Sequence, residues 1–169
     1  MALHPNNDAE QSSQTSINSD PIGRYLTTII HSSINAINTR NLDPKRQPWT
    51  LYAPSFRNEP DGNSPIIGNL PTSFSGQRTM TLDTLLDFWK AMVAACPSFR
   101  IRIVEIEVCN VEAQEGTAEV ALKAESLGIP DGVVRPSVSV LEFRRMSGRW
   151  LCTRMRTMPG VDFGGVGML

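Results

Sequence analysis

The stretch from Pro97 to Thr157 limits the choice of fold more than any other part of the chain. It divides into four extended runs: Ser98 to Val108, Thr117 to Glu125, Pro136 to Phe143 and Trp150 to Thr157. Apolar residues recur in them at a spacing near two, as they do in strands that bury one face. Met146-Ser147-Gly148-Arg149 is a turn that joins the third run to the fourth. Four such runs predict a curved antiparallel sheet. With the helices that precede them, they predict a pocket. They do not name a substrate.

Side chains alternate between the two faces of a strand. In the first run Arg102, Val104, Ile106 and Val108 share one face, and Ile101, Ile103, Glu105 and Glu107 share the other. In the second, Ala118, Val120, Leu122 and Ala124 oppose Glu119, Ala121, Lys123 and Glu125. The first row of each is expected to face the helices. Ile101 and Ile103 then fall on the outer face, which suggests that a second copy of the chain covers it. Phe143 and Trp150 flank the turn and are placed inward together. That choice sends Ser137, Ser139, Cys152 and Arg154 toward the helices and Glu142 away; the opposite register would bring Glu142 in.

Two helices are marked by their ends. Asp20 is an N-cap and Pro21 suits the first helical position. Ile22, Leu26, Ile29, Ile30, Ser33, Ile34 and Ile37 follow as one stripe. Arg40 to Pro44 ends this helix. A second long helix starts after Thr81 and runs to about Ala95, with Leu82, Leu85, Leu86, Trp89, Met92 and Val93 as its apolar face. A short helix is expected over Arg46 to Ala53. Arg57 to Met80, rich in proline and glycine, reads as a long binding loop or lid with short strands near Ser55 to Arg57 and Gln77 to Met80. Helices before an antiparallel sheet make an α+β domain.

The chain of 169 residues is expected to hold one domain over residues 20–160, with tails at 1–19 and 161–169. Residues 1–19 are polar and lack the apolar core of a signal peptide or a membrane span. The net charge of -1 and the lack of a basic cluster argue against nucleic-acid and membrane partners. Three widely spaced cysteines, Cys96, Cys109 and Cys152, fit a reducing cytoplasm rather than a disulfide framework. No metal-ligand cluster, phosphate loop or nucleophile elbow is present, so no cofactor is expected.

The order of segments carries a resemblance. Leu51-Tyr52-Ala53-Pro54-Ser55-Phe56 follows the first helix. A glycine-containing loop leads to Leu85-Leu86-Asp87-Phe88-Trp89-Lys90-Ala91 and then Cys96-Pro97-Ser98-Phe99-Arg100. A strand pair follows, and Phe143 to Trp150 encloses Ser147-Gly148-Arg149. From Asp20 to Val161 this resembles the NTF2-like, or SnoaL-like, superfamily. The resemblance implies a cone of helices packed on a strongly curved antiparallel sheet. It is greatest to small fungal proteins of polyketide, meroterpenoid and indole-alkaloid pathways. It therefore implies a cofactor-independent isomerase or cyclase of secondary metabolism, often homodimeric, acting on a polycyclic intermediate. The superfamily also includes dehydratases and non-catalytic binding modules, so a small-molecule binder or a dimerisation module stays an alternative. The histidines of its scytalone dehydratase-like members have only His31 as a counterpart outside the tail. Tyr25 is the candidate for the helix tyrosine of its steroid isomerase-like members, but no carboxylate maps onto the inner face.

Four residues are candidates for chemistry. Arg154 and Arg102, inward by alternation, would stabilise developing negative charge on an oxygen; the competing reading has them snorkelling at the rim or paired with carboxylates. Asp131 would be an acid or base, although Pro130-Asp131-Gly132 is also ordinary turn chemistry. Glu142 joins them in the opposite register. Tyr25, Trp49, Tyr52, Phe56, Trp89, Ser137, Ser139 and Trp150 are the expected substrate contacts, with the aromatic residues as walls for a hydrophobic small molecule. His31 lies off the apolar stripe and is expected in solvent.

Overall fold

Asp20 opens the first helix: its backbone is extended (φ -64°, ψ 131°) and its carboxylate accepts from the Ile22 amide at 3.3 Å. The helix, α1, runs Pro21–Asn38 and buries Leu26, Ile29, Ile30, Ser33 and Ile37 of the expected stripe. His31 is exposed. The computed structural model describes residues 20–60, 79–129 and 131–160. The expected tails, residues 61–78 of the expected loop and Pro130 lie outside the described residues.

Arg40 ends the helical segment in the left-handed region at φ 65°, a conformation that usually falls to glycine. Its guanidinium donates to the carbonyls of Pro97 and Phe99, each at 2.9 Å, and so ties the end of α1 to the start of the sheet.

The expected short helix is reduced to one turn of 3₁₀ helix, Trp49–Leu51, and the chain then becomes strand β1, Tyr52–Pro60. Pairing with a distant strand has overridden a local helical spacing. The second long helix, α2, spans Leu82–Ala95, and the Thr81 hydroxyl accepts from the Thr84 amide at 3.3 Å. Four strands follow: β2 (Arg100–Glu112), β3 (Thr117–Leu127), β4 (Val134–Met146) and β5 (Arg149–Pro159). Met80, just before α2, bridges Asn58 of β1.

The sheet order is β1-β5-β4-β3-β2. All neighbours are antiparallel except β1 and β5, which run parallel. A parallel pair needs a long crossover, and here the crossover contains α2 and three strands. The helices lie on one face. Between them and the sheet sits a core built on Leu26, Ile30, Trp49, Phe56, Leu86, Val120 and Phe143.

Bulges bend this sheet and reset its alternation. In β2 the pairs Ile103–Ala124 and Glu105–Lys123 leave Val104 without a partner, and the pairs Val108–Val120 and Asn110–Glu119 leave out Cys109. Ile101 and Ile103 therefore pack toward the core, whereas Arg102 is exposed and Val104 is 59% exposed. This corrects the expected faces of the first half of that strand. In β5 the pairs Phe143–Cys152 and Glu142–Arg154 leave out Thr153. Cys152 is buried as expected, but Arg154 turns to the outer face with Glu142.

Candidate ligand-binding site

A cavity of about 130 Å³ lies between the helices and the concave face of the sheet. Ile30, Ile34 and Ile37 of α1 and Leu85 and Trp89 of α2 form one wall. Ile101, Leu122, Ala124, Leu141 and Met155 form the facing wall, and Trp49 and Tyr52 line it from the segment where the 3₁₀ turn meets β1. These positions follow from the helical stripe and from the corrected strand alternation.

The polar groups of the lining are mostly hydroxyls. The Tyr52 phenol donates to Ser33 Oγ at 3.0 Å, and Ser33 Oγ donates to the Ile29 carbonyl at 2.9 Å. Both protons of that chain are committed, so the Tyr52 oxygen is left as an acceptor. Burial pushes the Tyr52 phenol well above its ordinary range, so it is neutral at physiological pH. Ser139 and Thr157 share one hydrogen bond at 2.9 Å. Two hydroxyls carry two protons and that bond uses one, so the pair keeps one donor for a third group. Ser137 Oγ lies 3.4 Å from the Ala124 carbonyl. Trp89 stacks on Phe99 with ring centroids 5.6 Å apart and planes at 11°. Its Nε1–H is shielded from solvent and has no hydrogen-bond partner among the described residues, a donor left uncompensated in the cavity wall.

This sheet, wrapped over two helices with a cavity on its concave side, has known counterparts. An NTF2-like protein with a cystatin-like fold from Novosphingobium aromaticivorans is similar over 96% of this chain and 95% of that one, with a TM-score of 0.59 and 13% identity. The chain has an NTF2-like fold. The fold also resembles an NTF2-like protein of unknown function from Pseudomonas putida, over 83% of this chain and 88% of that one, with a TM-score of 0.58 and 11% identity. A variant of IdmH with a truncated loop is similar over 79% of this chain and 91% of its own, with a TM-score of 0.52 and 17% identity. No family model and no curated protein matches the sequence.

Within this NTF2-like cone the expected site residues separate. Trp49, Tyr52, Trp89, Ser137 and Ser139 meet at the cavity. Phe56 is fully buried behind it, edge-on to Tyr52 at 5.0 Å, and Trp150 is a core residue outside the lining. Tyr25 is 43% exposed and lines a separate polar surface cleft with Thr28, Ser32 and Gln47. α1 turns it away because Leu26, Ile29 and Ile30 occupy the buried stripe.

The four candidates for chemistry lie outside the cavity lining. Arg102 pairs with Glu125, and its Nε is 2.8 Å from the carboxylate. Arg154 pairs with Glu59 at 2.7 Å and stands 3.6 Å from Glu142. Glu142 also lies 3.3 Å from Arg156. Asp131 is exposed in the turn after β3, where the Ser98 hydroxyl donates to it. A Cβ on Gly128 (φ 82°) would stand 2.8 Å from the Ser98 carbonyl, so this turn closes on Ser98 through a glycine. Asp131 thus belongs to the turn's own structure.

Arg135 lines the cavity and stood outside the expected strands. It pairs with Ser126 and precedes Ser137 and Ser139 by two and four residues, on the same inner row. The period of two, carried back one step before Ser137, is the sequence signal that finds it.

Proposed function

We propose that this protein is a cofactor-independent isomerase or cyclase acting on a polycyclic natural-product intermediate of secondary metabolism. The observation that carries this reading is the cavity, where apolar walls from both helices meet a spare hydroxyl proton at Ser139 and Thr157. The walls would hold a flat apolar body, and that proton would meet a carbonyl oxygen as negative charge grows on it. Positioning in such a site can supply several kcal/mol of the barrier reduction.

A second reading is a non-catalytic carrier. It is favoured by the lining itself, which holds no carboxylate and no imidazole among the described residues. Deuterium exchange at the methylene of anthrone, a fused-ring ketone, separates the two. The enzyme reading expects faster exchange with protein than with buffer, and loss of that gain in Ser139→Ala. Binding without acceleration supports the carrier. Anthrone that does not bind at all removes both.

The same proposal includes a homodimer through the outer sheet face. Ala121 and Val140 are partners there, and Val138 pairs with Met158, which is 50% exposed. A monomer at micromolar concentration by sedimentation would sink that part. A reducing cytoplasm also belongs to the proposal, supported by three cysteines that are free. No helix among the described residues is long and apolar enough to cross a membrane.

A further inference from the structure

We infer that the cavity takes an organic anion, an apolar body carrying one carboxylate that the Arg135 guanidinium receives. This rests on the reading of the cavity as a ligand site and goes beyond it by giving the ligand a charge.

Arg135 is partly buried at the end of the inner row of β4, opposite the buried Ser126. Its Nε donates to the Ile129 carbonyl at 2.9 Å. The guanidinium is planar, so one anchored nitrogen limits where the remaining N–H groups point. No carboxylate within ion-pair distance meets it among the described residues. On the outer face Arg102, Arg154 and Arg156 each have one. A partly desolvated cation without a counter-ion is costly, and an anionic ligand would offset that cost. Apolar walls beside the charge lower the local dielectric and strengthen the pair. Arginine also matches a carboxylate with two parallel N–H···O bonds, which fixes the ligand's orientation as well as its affinity. The competing account has Arg135 snorkelling to water with no ligand in view.

Calorimetry with naphthoate and its methyl ester separates these accounts, because the two probes share one apolar body and differ in charge. The unmodified protein should bind naphthoate at neutral pH about tenfold to a hundredfold more tightly than the ester. Arg135→Gln should abolish that preference and leave the ester's affinity unchanged, which also reports that the cavity is intact. If Arg135→Gln fails to fold, the unmodified protein still decides: rising salt should weaken naphthoate and spare the ester. Equal affinity for the two probes, a preference that survives Arg135→Gln, or naphthoate binding indifferent to salt would overturn the inference while the cavity reading stands. If neither probe binds, both fall.

Discussion

The two faces of the sheet solve opposite problems with the same strands. Along β4, Ser137, Ser139, Leu141 and Phe143 point to the helices, and Val138, Val140 and Glu142 point away. The outer face gathers charge and pairs it: Lys123 with Glu105 at 2.6 Å, and Arg156 between Glu142 at 3.3 Å and Glu119 at 4.0 Å. The inner face has hydroxyls and one guanidinium, and its lining holds no carboxylate among the described residues. Ion pairs exposed to water add little stability, so the outer pairing concerns solubility and contact more than folding. A charge on the inner face is partly stripped of water, and it bears on what the cavity can hold.

The sharpest way to break this comparison is to truncate the same strand on each side. Phe143→Ala should cost about 3–5 kcal/mol by urea denaturation, the range for a fully buried aromatic. Val140→Ala, on the outer face, should cost far less. Equal losses would mean that the faces are not inside and outside.

Alkali tests the buried titratable groups of the inner face. Burial holds the Tyr52 phenol and the Cys152 thiol above their ordinary ranges of 10.0 and 9.0. Above those values the unfolded chain gives up these protons and the folded chain keeps them. The stability that these two groups contribute is whole below pH 9.0 and falls as pH rises, first through Cys152 and then through Tyr52. Each group contributes a slope of up to about 1.4 kcal/mol per pH unit. Cys152→Ala should flatten the earlier part of the loss in denaturation curves taken across this range. An unchanged slope would show that the thiol is not held protonated.

The smallest effect belongs to the outer face. Glu142→Gln removes the carboxylate that Arg154 and Arg156 share, yet the urea midpoint should barely move and naphthoate affinity should stay the same. A change in affinity would connect the outer charges to the cavity and blur the division.

The sequence reveals much of this fold wherever a signal is local. Asp20 and Thr81 mark both long helices because a cap needs only its own next few residues. Ser137, Ser139, Phe143, Trp150 and Cys152 fall on their expected side because no bulge separates each from the turn or partner that sets its face. Arg102 and Arg154 do not, because a bulge is a property of two paired strands and one strand's alternation cannot show it. The adjacent apolar residues Ile103 and Val104 are the local trace of the first bulge in β2. β1 escaped full recognition for a similar reason, since its partner lies about a hundred residues away in β5 and its first residues also fit a helical turn. Arg135 falls outside the expected run because that run begins at Pro136, two residues after the strand itself begins at Val134.

The unpaired residues at Val104, Cys109 and Thr153 also determine where the chain can change length. Removing one residue from β3, which pairs with β4 without interruption, would throw every later side chain onto the wrong side. Removing Val104 would leave Ile103 opposite Ala124 and Glu105 opposite Lys123, in step as before. Each bulge is therefore a spare link in the sheet, one that can be dropped without losing the frame. Such a loss would flatten the curvature there, and with it reshape the space beneath, without altering the residues that face it.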